Sequence, residues 1–243
     1  MKPHPRFRQE YFIRQNIDEL QSYATVFAQR ISKAFDNLES EAEDLQASEY
    51  KRISASWEAP DEDDSAIAEK AYFAGVDFYI MTDAIRVGII NLMVAGLYHL
   101  FEQHAAVLAD RELPPPVSPP KSPYPGERLH NVVQGLGVDI TTFRTWQQLN
   151  ELRLIANTVK HGDGKSAEDL RQIMPHLFER FPSLIDPAFA VQLPLRPLVG
   201  EGIYLTEDHF NTYKKCLDEF WTELADALAS VFCPGYHHPP ESQ

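Results

Sequence analysis

VGIINLMVAGLY, residues 87–98, is apolar on all sides of a helix and decides the fold class. It is shorter than the roughly 20 apolar residues that a membrane-spanning helix needs. Asp83 and Arg86 also stand one turn before it. We therefore expect this stretch to be the middle of a buried core helix that runs from Ser65 to about Ala109, with no membrane partner.

Apolar residues spaced three and four apart predict helices along most of the remaining chain. The predicted helices cover residues 12–45 as one long amphipathic helix, a short stretch after residue 125, residues 141–161, residues 166–174 and a C-terminal helix capped by Thr206. Residues 195–206, LRPLVGEGIYLT, have β-prone ends around Gly200 and Gly202. The expected fold is mainly all-α, with a small β-hairpin before the C-terminal helix.

Proline-rich and acidic stretches suggest how the chain is divided. We expect an N-terminal helical segment, 1–64, that packs on a main helical domain, 65–234, followed by a tail, 235–243. The Pro-rich loop 113–125 interrupts the main domain without splitting it, because the segments on either side lack the partners to close a core alone.

Composition limits the function classes. The 243-residue chain has a net charge of −14, which repels nucleic acid and anionic membranes at long range. Residues 121–171 are the exception, with seven basic and six acidic side chains. Only two cysteines occur, in no metal-ligand spacing, and the N-terminus lacks the apolar core of a secretory signal. These features predict a cytoplasmic protein.

The stretch LRLIANTVKHGDG, residues 152–164, concentrates groups that can bind or cleave a phosphodiester. At about 100° per residue, its polar side chains and those of the preceding turn share one helix face. That face carries Trp146, Asn150, Arg153, Asn157, Lys160 and His161. Leu152, Ile155 and Val159 lie on the opposite, core-facing side. A polar stripe also occurs on an ordinary surface helix, which is the competing interpretation.

At these residues the sequence resembles the HEPN superfamily of prokaryotic helical domains. The likeness covers most of residues 70–232 and rests on LYHLFEQH, ELRLIANTVKHG and GEGIYLTEDHFNTYKKCLDEFW. The family motif is an Arg, four to six residues, then a His, often with Asn directly after the Arg. ANTVKH matches this motif at Asn157 and His161, but Ala156 occupies the Arg position. Arg153, one turn earlier on the same face, is the nearest replacement.

The resemblance implies a metal-independent endoribonuclease or RNA-binding protein of a toxin or antiphage defence system. It implies Arg153, Asn157 and His161 as catalytic residues, with no cofactor. Lys160, Arg144 and Lys165 are the candidates for RNA binding. Trp146 and Asn150 are expected at the interface of a homodimer, since a Trp on the helix face away from the core would otherwise be exposed to solvent.

Two alternatives stay open at this stage. The chain could be a catalytically inactive HEPN-like dimerisation or adaptor module that supports a partner, such as an antitoxin or another defence protein. Glu127 and His130 form a Glu-x-x-His pattern found in di-iron bundles, but no second copy of it occurs. We therefore predict no metal site.

Overall fold

The computed structural model describes residues 5–56, 64–115, 124–179 and 194–232. Its α-helices are α1 (Pro5–Val26), α2 (Leu38–Ser56), α3 (Asp64–Val107), α4 (Pro125–Gly135), α5 (Trp146–His161), α6 (Lys165–Ile173) and α7 (Glu207–Phe232). Short π and 3-10 turns join several of them, and no β-strand occurs within the described ranges. The predicted all-α class is confirmed. Most of the Pro-rich loop and the predicted tail lie outside the described residues.

Helix α3 is the central element, as its sequence predicts. Its C-terminal half packs against α1, α4, α5 and α7, and Val94, Leu97 and Phe101 are almost completely buried. The Phe101 ring lies 5.3 Å from that of Phe220 and 5.7 Å from that of Trp221, both on α7. The segment Asp64–Glu112 is also long and apolar enough to cross a membrane. Of its most apolar stretch, 39% is buried inside the protein.

The single N-terminal helix predicted over residues 12–45 is wrong. Helix α1 ends at Val26, and a π turn (Phe27–Ile31) and a 3-10 turn (Ser32–Phe35) lead into α2. Phe27 packs on Phe210 of α7, with ring centroids 4.3 Å apart, whereas the buried Leu38 lies on α2, which packs along α3. Backbone angles stay helical through both turns, and the helix is interrupted at residues 36–37, just before α2.

Helix α1 belongs to the same hydrophobic core as α3, α5 and α7. Ile13, Leu20 and Phe27 are buried in that core. Glu19 on α1 also accepts a 2.8 Å hydrogen bond from Nε2 of the buried His104 near the end of α3. Residues of the predicted N-terminal segment therefore help to build the main bundle, while the division of the chain at residue 64 stays a prediction.

The β-hairpin predicted over residues 195–206 is also wrong. Arg196 and Glu201 form one isolated antiparallel bridge, and the 3-10 turn Pro197–Val199 occupies the space between them. Gly200 has a left-handed φ of 71°, and a Cβ at this position would collide with the carbonyl oxygen of Ala84 on α3. The glycine thus allows the loop to lie directly on α3, instead of forming the turn between two strands.

Asn91 holds this loop on α3. Its side chain is fully buried, and Nδ2 donates to the carbonyl oxygens of Pro197 at 2.8 Å and Ile203 at 2.9 Å. Its Oδ1 accepts from the backbone N–H of Leu205 at 3.2 Å. The Asn91 side-chain amide therefore forms hydrogen bonds with three backbone groups of the loop, which does not pair with a β-strand.

Replacing Asn91 with Leu should destabilise the fold strongly. The carbonyl oxygen of Pro197 would keep its bond from the N–H of Gly200 at 3.3 Å. Two loop groups, the carbonyl oxygen of Ile203 and the N–H of Leu205, would stay buried without a partner at about 1–3 kcal/mol each, so we expect a loss of roughly 2 kcal/mol or more in the free energy of unfolding. Chemical denaturation measures this loss. Asn211→Leu, at an exposed position of α7, is the matched control and should change stability by no more than about 0.5 kcal/mol. Equal losses in the two variants would contradict the role of Asn91.

Candidate functional site

A cavity of about 840 Å³ lies between α5, the C-terminal half of α3 and α4. The α5 face predicted from the sequence forms one of its walls. The side chains that line the cavity from this face are Trp146, Asn150, Arg153, Asn157, Lys160 and His161. The structure therefore brings these predicted residues together around one space, instead of spreading them over an open surface.

The opposite face of α5 fixes this orientation. Leu152, Ile155 and Val159 are buried in the core, as their spacing predicts. The helix starts at Trp146 and not at the predicted residue 141, because a separate 3-10 turn (Ile140–Thr142) precedes it. It ends at His161, where Gly162 takes a left-handed φ of 70° and its N–H bonds to the carbonyl oxygen of Thr158. His161 thus occupies the last turn of α5.

Four polar side chains of the α5 wall are available to a ligand. Within the described ranges, no hydrogen bond or ion pair engages the side chains of Arg153, Asn157, Lys160 or His161. Arg153, Lys160 and His161 are exposed, and Asn157 is half-buried. An arginine, a lysine, an amide and an imidazole on one wall form a donor-rich surface suited to an anionic ligand.

Trp146 is covered within its own chain. It is half-buried, packs on the hydrophobic core and lies with its ring centroid 6.3 Å from that of His130 on α4. Asn150 is half-buried too, and its Nδ2 donates to the carbonyl oxygen of Trp146 at 3.2 Å. A second subunit is therefore not needed to cover this Trp. The assignment of both residues to a dimer interface stays a prediction.

The two remaining RNA-binding candidates, Arg144 and Lys165, both form ion pairs within the protein. Arg144 does not line the cavity, and its Nε donates to Oε1 of Glu223 on α7 at 2.8 Å. Lys165 does line the cavity, but its Nζ donates to Oδ1 of Asp169 at 2.6 Å. Both contacts are exposed ion pairs that a competing phosphate could replace at small cost. Only Lys165 is placed to act together with Arg153 and His161.

The wall facing α5 carries a second group of titratable side chains. Tyr98, His99 and Glu102 come from α3, and Glu127 and His130 come from α4. Nδ1 of His99 lies 3.1 Å from Oε2 of Glu102, as their three-residue spacing predicts. Nδ1 of His130 is buried and has no hydrogen-bond partner among the described residues.

Tyr98 lies within electrostatic reach of both walls. Burial raises the pKa of its phenol well above the ordinary value, the carboxylates of Glu102 and Glu127 raise this pKa further, and the Arg153 guanidinium opposes them. The hydroxyl therefore stays protonated near neutral pH and can donate a hydrogen bond into the cavity. It is less suited to act as a general base.

The sequence pattern alone does not assign this second wall to the site. Glu127 and His130 stand out only as a weak metal pattern, and His99 and Glu102 only as a polar contact between helices. Tyr98 and Glu102 are four residues apart and so share one helix face, but only the packing of α3 and α4 against α5 places them opposite Arg153. Within the described ranges, no group of three or more His, Cys, Asp or Glu side chains could hold a metal ion.

Ala156 is a core residue. It is 1% exposed and belongs to the hydrophobic cluster shared by α3, α5 and α7. The side chain of an Arg at position 156 would leave the helix on its core-facing side, whereas the side chain of Arg153 lines the cavity. On the cavity side of α5, the guanidinium therefore belongs to Arg153. Position 156, where the motif would have its Arg, lies on the core side.

Ala156→Arg should consequently damage the fold. The larger charged side chain would be overpacked and desolvated, and we expect a loss of about 3 kcal/mol or more in the free energy of unfolding. Thermal or urea unfolding measures the effect. Gln148→Arg, at an exposed position of the same helix, should stay within about 0.5 kcal/mol of the wild type. A stable Ala156→Arg protein would show that position 156 can reach the cavity.

Comparisons with protein-family models, with curated proteins and with solved structures found no match. The resemblance to the HEPN superfamily thus rests on the residues quoted from α3, α5 and the C-terminal region, and it stays a prediction. The function is best argued from the chemistry of the two cavity walls.

Proposed function

We propose that the cavity binds RNA and cleaves it without a metal ion, as in a HEPN-like toxin or defence ribonuclease of the cytoplasm. The observation that carries this proposal is the convergence of Arg153, Asn157 and His161 on one cavity wall, with none of their side chains engaged within the described ranges. A guanidinium, an amide and an imidazole can together bind the oxygens of a phosphodiester.

The chemistry follows from the attack of the ribose 2′-oxygen on the neighbouring phosphorus. A new P–O2′ bond forms, the P–O5′ bond breaks, and the products are a 2′,3′-cyclic phosphate and a free 5′-hydroxyl. His161 exchanges a proton with the attacking or the leaving oxygen. Arg153 and Lys160 stabilise the negative charge that develops on the phosphorane, and Asn157 orients a phosphate oxygen or the imidazole.

The complete reaction needs both a base and an acid. The family resemblance implies two copies of the site that face each other across a dimer axis. Glu127 and His130 also line the cavity, but His130 packs on Trp146, which lies fifteen residues or about 22 Å before His161 along α5. Tyr98 can supply a further hydrogen bond to the phosphate. Within this proposal, the second proton-transfer group therefore comes from the second copy of the site.

The size and charge of the cavity agree with a short piece of single-stranded RNA. About 840 Å³ lies within the range of roughly 300–1,000 Å³ that is usual for small-ligand pockets. Trp146 offers an aromatic surface for base stacking next to the cationic wall. Because the net charge of the chain is −14, RNA binding should depend on these short-range contacts and weaken with added salt.

The second candidate function is an inactive HEPN-like module that dimerises or supports a partner protein such as an antitoxin. The burial of Ala156 favours this alternative, because the motif arginine is absent and could not be accommodated at that position. Under this alternative, the cavity would bind a ligand or a partner segment without catalysis.

RNA cleavage in the presence of a chelator separates the two functions. We expect the full chain to cleave single-stranded RNA in EDTA and to leave DNA of the same sequence intact, because DNA lacks the 2′-hydroxyl. His161→Ala should lower the cleavage rate by about 10² to 10⁴. Arg153→Ala should cause a loss of comparable size, since its guanidinium stabilises the transition state.

Arg144→Ala is the matched control for Arg153→Ala, because Arg144 pairs with Glu223 and does not line the cavity. It should keep cleavage within a few-fold of the wild-type rate. If several RNA substrates stay intact at raised protein concentration, the non-catalytic function is the better explanation. Equal losses in the Arg144 and Arg153 variants would instead place the active surface outside the cavity.

A further inference from the structure

Tyr98 presents a hydrogen-bond donor to the cavity. Its side chain lines the cavity and is only 7% exposed, and within the described ranges no hydrogen bond engages its hydroxyl. The hydroxyl lies beside the first turn of α4, since a Cβ added to Gly126 would be 3.9 Å from its oxygen. A buried donor without an acceptor costs free energy, so this hydroxyl points to a ligand that supplies an acceptor.

Two carboxylates stand near this donor. Glu127 follows Gly126 on α4, and Glu102 lies one turn after Tyr98 on α3. Both line the cavity, and both act electrostatically on the phenol, against the single guanidinium of Arg153. The hydroxyl has one proton, which serves either a phosphate oxygen or a neutral acceptor. Two negative charges near one positive charge disfavour a phosphate at this point and favour a neutral group that carries N–H donors as well as an acceptor.

An aromatic surface adjoins these polar groups. Trp146 lines the cavity and is half-buried, so part of its indole is open to the cavity. His130 lies one turn after Glu127 on α4 and packs on Trp146, with ring centroids 6.3 Å apart. This contact joins the start of α5 to the part of α4 that carries Glu127. A neutral, planar ligand that stacks on an indole and carries N–H donors has the chemistry of a nucleobase.

The order of donors and acceptors selects one nucleobase. The Watson–Crick edge of guanine carries the acceptor O6, followed by two donors, N1–H and the N2 amino group. A hydroxyl donor beside a carboxylate with two acceptor oxygens complements this edge, and Tyr98 and Glu127 supply these groups. The edges of adenine and cytosine begin with an amino donor, and uracil has one donor between two acceptors. None of these three bases accepts from the hydroxyl and donates twice to the carboxylate.

We propose that the cavity holds a guanine base of the RNA, which stacks on Trp146, accepts from Tyr98 at O6 and donates from N1 and N2 to Glu127. This inference rests on the proposed function in taking RNA as the ligand, but it requires no cleavage. Trp146 and Arg153, which flank the base along α5, lie fifteen and eight residues before His161, or about 22 and 12 Å. The recognised guanine is therefore set apart from the phosphodiester that His161 contacts.

Binding of the monophosphates of guanosine, inosine, adenosine, cytidine and uridine to the full chain tests this proposal. These nucleotides carry the same phosphate, so differences in affinity report on the base. NMR titration of the Trp146 indole N–H signal measures each dissociation constant. We expect guanosine monophosphate to bind about tenfold or more tightly than each of the others, including inosine monophosphate, which lacks only the N2 amino group. Equal affinities for the guanosine and adenosine nucleotides, or no saturable shift with any nucleotide, would overturn the proposal.

Two variants test the individual contacts. Tyr98→Phe removes the hydroxyl and keeps the ring, and Glu127→Gln, at an exposed position, replaces one acceptor oxygen with an amide donor. Each should weaken the binding of guanosine monophosphate by about tenfold, and Glu127→Gln should also abolish the preference for guanosine over inosine. Tyr72→Phe and Glu168→Gln, at exposed positions outside the cavity, are the matched controls and should bind as the wild type does. Wild-type affinity and preference in Glu127→Gln would contradict the proposal.

RNA cleavage in EDTA separates a failure of this proposal from a failure of the proposed function. Guanine-selective binding without cleavage of any RNA would support the base site and contradict the ribonuclease. Cleavage at equal rates in RNA with and without guanosine, together with equal nucleotide affinities, would support the ribonuclease and contradict the base site.

Discussion

The structure depends on a central helix that is apolar on nearly all sides and longer than the bundle around it. An apolar helix must be covered on every side that would otherwise face water. The C-terminal half of α3 meets this requirement through α1, α4, α5, α7 and the loop that Asn91 holds. The N-terminal half is covered by α2 on one side only, among the described residues. The exposed apolar side chains on the N-terminal half of α3 follow from this difference.

Periodicity predicted most of the α-helices, and it failed where short turns and loops interrupt them. Helix α3 and the C-terminal helix agree with their sequence patterns. The break between α1 and α2 was missed because the three-and-four spacing of apolar residues continues through it. The false hairpin arose because Gly200 and Gly202 resemble turn residues, whereas Gly200 is needed for close contact with α3. The contact of Gly200 with the distant Ala84 decides the second feature, and a local pattern does not contain it.

The same limit applies to the candidate site. The α5 wall could be predicted, because Arg153, Asn157 and His161 lie on one face of a single helix. The opposing wall is assembled from α3 and α4, which are far apart in sequence from α5, so spacing alone does not reveal that Tyr98 and Glu127 face Arg153. The burial of Ala156 likewise emerged only from packing. An arginine at position 156 would therefore begin on the core side of α5, whereas Arg153 lines the cavity.

The central claim is that RNA binds in the cavity with its phosphate at the α5 wall. NMR spectroscopy with a non-cleavable 2′-O-methyl RNA oligonucleotide tests it most directly. The imidazole signals of His161 and the indole N–H signal of Trp146 should shift together on titration. The indole signal of Trp221, which is fully buried in the core, should not move. Saturable RNA binding that leaves the His161 and Trp146 signals unchanged would contradict the account.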